Sequence, residues 1–336
     1  MRFFYSSILL LLQWIFKGTI GLQRNDVSTK SLSAMISRAR ETDVAIPLIG
    51  VHDALSARII LHQMERSPNP SKDIGLFISG FGVAAARLGQ PDAGILTRTD
   101  MEDAARNVIM SIPSTTPIIL DGDTGYGGSS NVRQTIRRAA SLGATAISIE
   151  DQVFPKRCTF VAGSNVNVVG RDDSIKRIRT ALAAKHESLE QDGNNVMVIA
   201  RTDCRMGLGF EEALARCQLF EQLGADIVYA ENLQSDEEYL KLREAITKPM
   251  ILAQLQTGEN DQVLRTFDDI GAIGYELALW GVSGLQAAVS AMVMAATDLL
   301  DRGGVVSSTK MASLSDVKNI VGFSELEDFE SRHQCL

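Results

Sequence analysis

From Val44 onward the chain repeats one unit: a short apolar run of strand length, a polar link, then a segment with helical periodicity. The runs are AIPLIGV (45–51), IGLFIS (74–79), PIILD (117–121), AISIE (146–150), VMVIAR (196–201), DIVYAE (226–231), PMILAQ (249–254) and AIGYEL (272–277). Continuous, β-branched-rich runs of this length read as strands buried on both faces, as in a parallel sheet. Between them, NVRQTIRRAASLG, GFEEALARCQLFEQLG and DEEYLKLREAI carry the helical pattern. SLGATAIS, QLGADIVYA and DIGAIGYE each place a glycine just past a helix and ahead of the next run, as αβ connections do. Eight strands alternating with helices over ~250 residues predict an α/β fold, a (β/α)8 TIM barrel. A doubly wound open sheet is the alternative, weakened in its dinucleotide-binding form because no G-x-G-x-x-G follows the first run.

The ends of the runs carry the polar residues: His52 and Asp53, Ser79 and Gly80, Asp121 and Asp123, Glu150, Arg201, Glu231 and Gln254. A barrel gathers all of these at the carboxyl ends of its strands, where barrel enzymes keep their chemistry. An open sheet would not.

Asp121, Asp123 and Glu150, with Asp92 a fourth candidate, are hard oxygen donors suited to Mg2+ or Mn2+. A single strand-end acid more often caps a helix or pairs with arginine. Three on adjacent strands, beside the glycine-rich TGYGG, favour a metal. Arg201 can grip a carboxylate or phosphonate bidentately, or serve as the internal partner of Glu150 or Glu231; the two roles are compatible. The turn Ser79–Gly80–Phe81–Gly82 offers backbone amides to an oxyanion. Cys158 follows Lys156 and Arg157, and nearby cations are expected to lower a thiol from its usual ~8.5. An incidental exposed cysteine is the plainer reading. Cys204 and Cys217 read as structural.

The bulk numbers narrow the partners. An apolar fraction of 45% fits a globular chain with a full core. A net charge of −8 without a basic tract excludes nucleic acid as the main partner, and an anionic substrate then needs a local cation. Four cysteines are too few for a disulfide scaffold and lack zinc spacing. The start, MRFFYSSILLLLQWIFKGTIG, has an apolar run from Phe3 to Phe16. It is short of the ~20 residues of a spanning helix, but it fits a signal-peptide core with Thr19 and Gly21 near a cleavage point. Residues 1–30 are thus expected to be a leader for the secretory route or an organelle, 31–305 the catalytic barrel and 306–336 a tail. No stable membrane span is expected in the mature chain.

With these motifs in view, the chain resembles the isocitrate lyase/phosphoenolpyruvate mutase superfamily. It is most similar to the short members: 2-methylisocitrate lyases, oxaloacetate hydrolases and petal death protein. The match runs from Pro47 to Leu300 on HDALSARI, FISGFGVAAARLGQPD, DGDTGYGG, IEDQVFPKRC, ARTD and the unit ending at Glu231. The pair D-x-D-T-G-(Y/F)-G and E-D-Q…K-(K/R)-C at this spacing is highly specific. The resemblance implies a barrel whose last helix is swapped between subunits of a homotetramer. It implies Mg2+ held by Asp121 directly, with Asp92, Asp123 and Glu150 acting through waters. Ser79, Gly80 and Phe81 would bind the α-keto acid portion of a small carboxylate or phosphonate and Arg201 its carboxylate, with Glu231 and Gln254 as further contacts. Cys158, on a mobile loop, would protonate a leaving enolate, and Lys156, Arg201 and His52 complete the candidate catalytic set. The implied reaction is Mg2+-dependent cleavage of a C–C bond in a small 2-hydroxy or 2-oxo di- or tricarboxylate.

Three departures stand out. The superfamily's KRCGH reads KRCTF, with Thr159 and Phe160. His52 stands where many lyases have tyrosine and the phosphonate-processing branch has histidine. The N-x-x-E after the seventh strand reads QLQT, from Gln254 to Thr257. These keep two alternatives open: P–C bond chemistry on phosphonopyruvate, and a catalytically weak relative that binds an oxalate-like anion.

Overall fold

The computed structural model describes residues 21–68, 73–256 and 264–333; leader residues 1–20, Thr257 and Cys335 lie outside these. Eight parallel strands close into a barrel in chain order, β1 pairing with both β2 and β8. They are β1 Ile46–Val51, β2 Gly75–Ile78, β3 Ile118–Asp121, β4 Ala146–Ile149, β5 Met197–Thr202, β6 Ile227–Ala230, β7 Met250–Ala253 and β8 Leu277–Trp280. The expected barrel is therefore present.

The two-residue alternation of the strands sorts their side chains into two cores. Ile46, Leu48, Phe77, Ile119, Ala146, Ile199, Ile227, Tyr229, Ile251, Leu277 and Leu279 fill the interior. Their neighbours, such as Leu76, Ile78, Leu120, Ile147, Val198, Val228 and Leu252, pack outward against the helices. A helix over Gly21–Thr42 sends Leu32, Met35, Ile36 and Ala39 into the interior cluster, plugging one end of the barrel. This helix runs across position 30.

The eighth strand departs from the apolar run that predicts it. AIGYEL spans 272–277, but the strand begins at Leu277. Ala272 is the last residue of the helix Phe267–Ala272, and Gly274 makes the turn at a φ of 94°. Apolar residues here belong to a helix end and a link as well as to a strand, and periodicity alone does not separate them. The other two links behave as expected, with Gly143 and Gly224 in the left-handed region just past their helices.

One helix among the described residues, Ser283–Asp301, is long and apolar enough to cross a membrane by length and composition, and 11% of it is buried. Its exposed residues include Val289, Met292, Val293, Leu299 and Leu300.

Candidate active site

Strand parity explains the site. Continuing the inward phase of each strand by two residues brings Ser79 after Phe77, Asp121 after Ile119, Glu150 after Ser148, Arg201 after Ile199 and Glu231 after Tyr229. These residues crown the interior core at the carboxyl ends of the strands. Ser79, Asp121, Arg201 and Glu231 share a cavity of about 360 Å3 with Asp92, Lys156 and Cys158.

The acids converge as expected. Asp121, Asp123 and Glu150 are all buried, each offering an oxygen within 4.8 Å of the others. Asp121 Oδ2 accepts from Gly80 N at 3.2 Å, and its Oδ1 accepts from Ser148 Oγ at 3.3 Å. Glycine at residue 80 suits this close approach: a Cβ there would lie 3.0 Å from Asp121 Oδ2, tighter than most such contacts. Asp123 sits at a φ of 47°, and its carbonyl accepts from Glu150 N at 2.9 Å, locking the β3 and β4 ends together. Asp92 stands outside the group of three. Its Oδ1 lies 2.6 Å from Lys156 Nζ, which is also 2.8 Å from Asp123 Oδ1.

Burial pushes the Asp123 carboxyl up to about 7, against the pull of Lys156 and aided by Asp121 and Asp92. Burial, then the neighbouring Asp203, raises Glu150 well above the usual carboxylate range. Three buried oxygen donors, with Glu150 Oε1 and Asp123 Oδ1 both lacking a hydrogen-bond partner among the described residues, fit a hard divalent cation, which would relieve their mutual repulsion. For Lys156, burial works to lower the ammonium's pKa, but Asp123, Glu150, Asp92 and Asp121 outweigh it and hold it well above the ordinary lysine value.

Arg201 is held by an acid that the sequence did not single out. Its Nε and Nη2 donate to Asp203 at 2.6 and 3.0 Å, Nη2 also lies 3.3 Å from Glu231 and 3.6 Å from Glu150, and the guanidinium stacks 5.3 Å over Tyr229. Both expected internal partners are present, but Asp203 has the fork. Tyr229 in turn donates to Glu231.

Cys158 opens a short helix, Thr159–Ala162, and lines the cavity with Thr159, Phe160 and Val161. Its thiol does not have the lowered pKa that its cationic neighbours suggest. Burial raises it, and Asp92 adds to the rise. Lys156 is spent on the acids, and Arg157 Nη1 donates to the carbonyls of Ala93 and Lys156. Adjacent in sequence, the two cations do not converge on the sulfur.

Two candidates sit differently from expectation. His52 does not line the cavity. It packs under Gly82, whose Cβ position would be 3.0 Å from His52 Cβ, and it faces a separate hollow with Arg87 and Asn107. His52 N donates to Ser56 Oγ at 3.1 Å, which ties the residue to the capped start of the helix Ala54–Arg66. Gln254 lies on the cavity edge, one residue out of phase with inward Ala253. Both of its amide atoms are engaged by the backbone of Arg265, at 2.8 Å each.

The remaining bracing was not read from the sequence. Gln152 Nε2 donates to Asp203 at 2.6 Å and to Arg157 O at 2.9 Å, fixing the cysteine loop to the Arg201 fork. Arg177 Nη1 donates to the carbonyls of Glu150 and Gln152 at 2.7 and 2.9 Å. Arg216 reaches Asp151 at 2.8 Å from within a helix whose other buried residues are Ala213, Cys217 and Phe220. An arginine inside an apolar helical stripe was the available signal, because such a charge needs a buried partner.

The profile of the phosphoenolpyruvate phosphomutase family matches residues 37–300. The chain belongs to this family. The 2,3-dimethylmalate lyase of Eubacterium barkeri is 29% identical over 287 residues, which cover 84% of this chain and 92% of that protein. The structure of oxaloacetate acetylhydrolase with the inhibitor 3,3-difluorooxalacetate superposes at a TM-score of 0.79 and 31% identity, covering 91% of this chain and 97% of that one. Phosphonopyruvate hydrolase in complex with oxalate and Mg2+ superposes at a TM-score of 0.73 and 25% identity, covering 92% and 99%. The resemblance read from the motifs is borne out, and the chain is an enzyme of the isocitrate lyase/phosphoenolpyruvate mutase superfamily, whose members act on small carboxylates.

Proposed function

We propose that this enzyme is a Mg2+-dependent lyase that cleaves a C–C bond of a small 2-hydroxy or 2-oxo di- or tricarboxylate, with Cys158 as proton donor. One observation carries the reading: a single cavity of about 360 Å3 is lined by Asp121, by Arg201 and by Cys158 together. The relatives named for lyase and acetylhydrolase activity support it.

Asp121, Asp123 and Glu150 would hold the cation; their oxygen donors suit Mg2+ and Mn2+ alike, and the Mg2+ complex of a structural neighbour favours Mg2+. When bound, it supplies a positive charge that polarises the oxygens of a 2-oxo acid. The chain's own residues do the rest. Arg201, preset by Asp203, turns its remaining edge toward a substrate carboxylate. As the C–C bond breaks, the hydroxyl of the 2-hydroxy acid, or of the hydrated 2-oxo acid, gives its proton to solvent and becomes a carbonyl. The bond's electron pair stays on the departing fragment as an enolate, the Cys158 S–H gives that carbon a proton, and the thiolate regains one from solvent. A thiol whose pKa burial has raised keeps its proton until then. Lys156 holds Asp92 and Asp123 in register, and Phe160 and Val161 line the cavity beside Cys158. The phosphonate alternative drew on His52, which lies away from this cavity, and on Thr159 and Phe160 in place of a Gly-His pair, which do line it.

The test is a panel of small hydroxy- and oxo-acids, phosphonopyruvate included, incubated with Mg2+ or with a chelator. Mg2+-dependent release of pyruvate, glyoxylate or oxalate supports the lyase. Phosphate release from phosphonopyruvate alone would replace it with P–C chemistry.

Two companion readings stand beside this one. A homotetramer with the last helix swapped is supported by the exposed apolar residues of Ser283–Asp301; light scattering that finds a monomer would end it. A cleaved targeting leader is supported by the apolar run from Phe3 to Phe16; a mature chain that keeps Met1 would end it.

A further inference from the structure

Tyr126 breaks two local rules at once. Its φ of 60° lies in the left-handed region, which a bulky side chain rarely adopts. Its Oη is buried, yet it meets no hydrogen-bond partner among the described residues, and buried hydroxyls nearly always have one. The residue stands three places after Asp123, in the loop from Asp121 to Gly128 that carries two of the three acids.

Beside it is a cavity of about 20 Å3, lined among others by Arg98, Glu102, Asp121, Gly122, Tyr126 and Thr135. A water needs ~10–15 Å3 and two to four polar partners. The partners are there. Arg98 Nε and Glu102 Oε1 lie 2.9 Å apart as an ion pair, but both are buried and neither makes a well-directed hydrogen bond. The Thr135 hydroxyl donates to Gly125 O at 3.2 Å and keeps lone pairs free to accept.

We infer that one ordered water belongs to this cavity, accepting the Tyr126 hydroxyl proton and donating to Glu102, and that it braces the Asp121–Gly128 loop against the helix Arg98–Met110. Tyr126 is then a positioning residue for the acids: it touches neither substrate nor cation. Its consequence for the cation rests on the metal reading above; the water itself does not.

Two measurements test it. A crystal structure that resolves ordered waters should show density within hydrogen-bond distance of Tyr126 Oη and Glu102. Tyr126→Phe should speed amide hydrogen exchange in residues 121–128 and weaken Mg2+ binding, by calorimetry, about 10-fold, the scale of a lost supporting hydrogen bond around a metal. If Tyr126→Phe does not fold, Glu102→Gln reads the same cavity in the same direction. No density in the wild-type cavity, or unchanged exchange in the variant, overturns the proposal. Density and faster exchange in a chain that binds no Mg2+ uphold the brace and remove the metal reading instead.

Discussion

The two walls of the cavity are built in different ways. Asp121, Asp123 and Glu150 stand at the ends of neighbouring strands, tied by Gly80 N, Ser148 Oγ and the Glu150 N to Asp123 O bond. The facing wall comes from a loop and the last barrel helix: Cys158, Thr159, Phe160 and Val161, with Leu285 and Val289. Phe160 and Val161 are exposed, whereas the acids are buried. The first wall is set by strand parity and short-range bonds. The second depends on segments that meet only through tertiary folding, which leaves room for substrate selection to change while the chemistry stays put.

Variants on each wall should therefore differ in kind. The largest effect is expected from Asp121→Asn, which leaves Gly80 N and Ser148 Oγ facing a weaker acceptor and removes a charge from the cation site. Turnover should fall on the order of 10³-fold, as for loss of a central electrostatic group, and the Mg2+-induced rise in melting temperature should shrink. Cys158→Ser should lose about 10²-fold in kcat, the scale of general acid catalysis, while keeping its Mg2+-induced thermal shift. Equal loss of that shift in both variants would erase the distinction between the walls.

Asp203→Asn sharpens the comparison from beneath. It strips the buried Arg201 fork of its main acid and should cost about 3 kcal/mol of stability, measured by denaturant unfolding. The pH dependence follows from Asp123. Its folded pKa of about 7 lies above the ordinary value of 3.8, so the folded state binds the extra proton. The metal-free protein should be most stable below about pH 4 with respect to this group and should lose that contribution as pH rises through 7. Mg2+ should offset the loss, so its thermal shift should grow between pH 5.5 and 8, on the order of one protonation step. The smallest effect is expected from Phe160→Ala: a change of up to about 10-fold in kcat/KM that differs between substrates and leaves Mg2+ affinity alone.

Legibility followed the same division. Seven strands and the three converging acids could be read from the runs and their ends, because a strand's alternation carries side-chain direction one or two residues past its last hydrogen bond. The eighth run misled, since helix end, turn and strand are all apolar there. His52 misled because it is tied through Ser56 to the capped start of the next helix. Asp203 was visible in ARTD but not its role, which needs the Arg201 side chain to fold back on its own strand end. Gln152 and Arg216 act through partners 51 and 65 residues away, separations that no local pattern reports. The Cys158 pKa failed for the same reason: Lys156 and Arg157 are neighbours in sequence, and their charges go elsewhere.

The central claim is that Asp121, Asp123 and Glu150 form one divalent cation site. Calorimetric titration of Mg2+ into the wild-type chain and into Asp121→Asn tests it most directly. The account predicts one site per chain in the wild type and at least ~10-fold weaker binding in the variant. Equal binding by the two proteins, or none by the wild type, would contradict it.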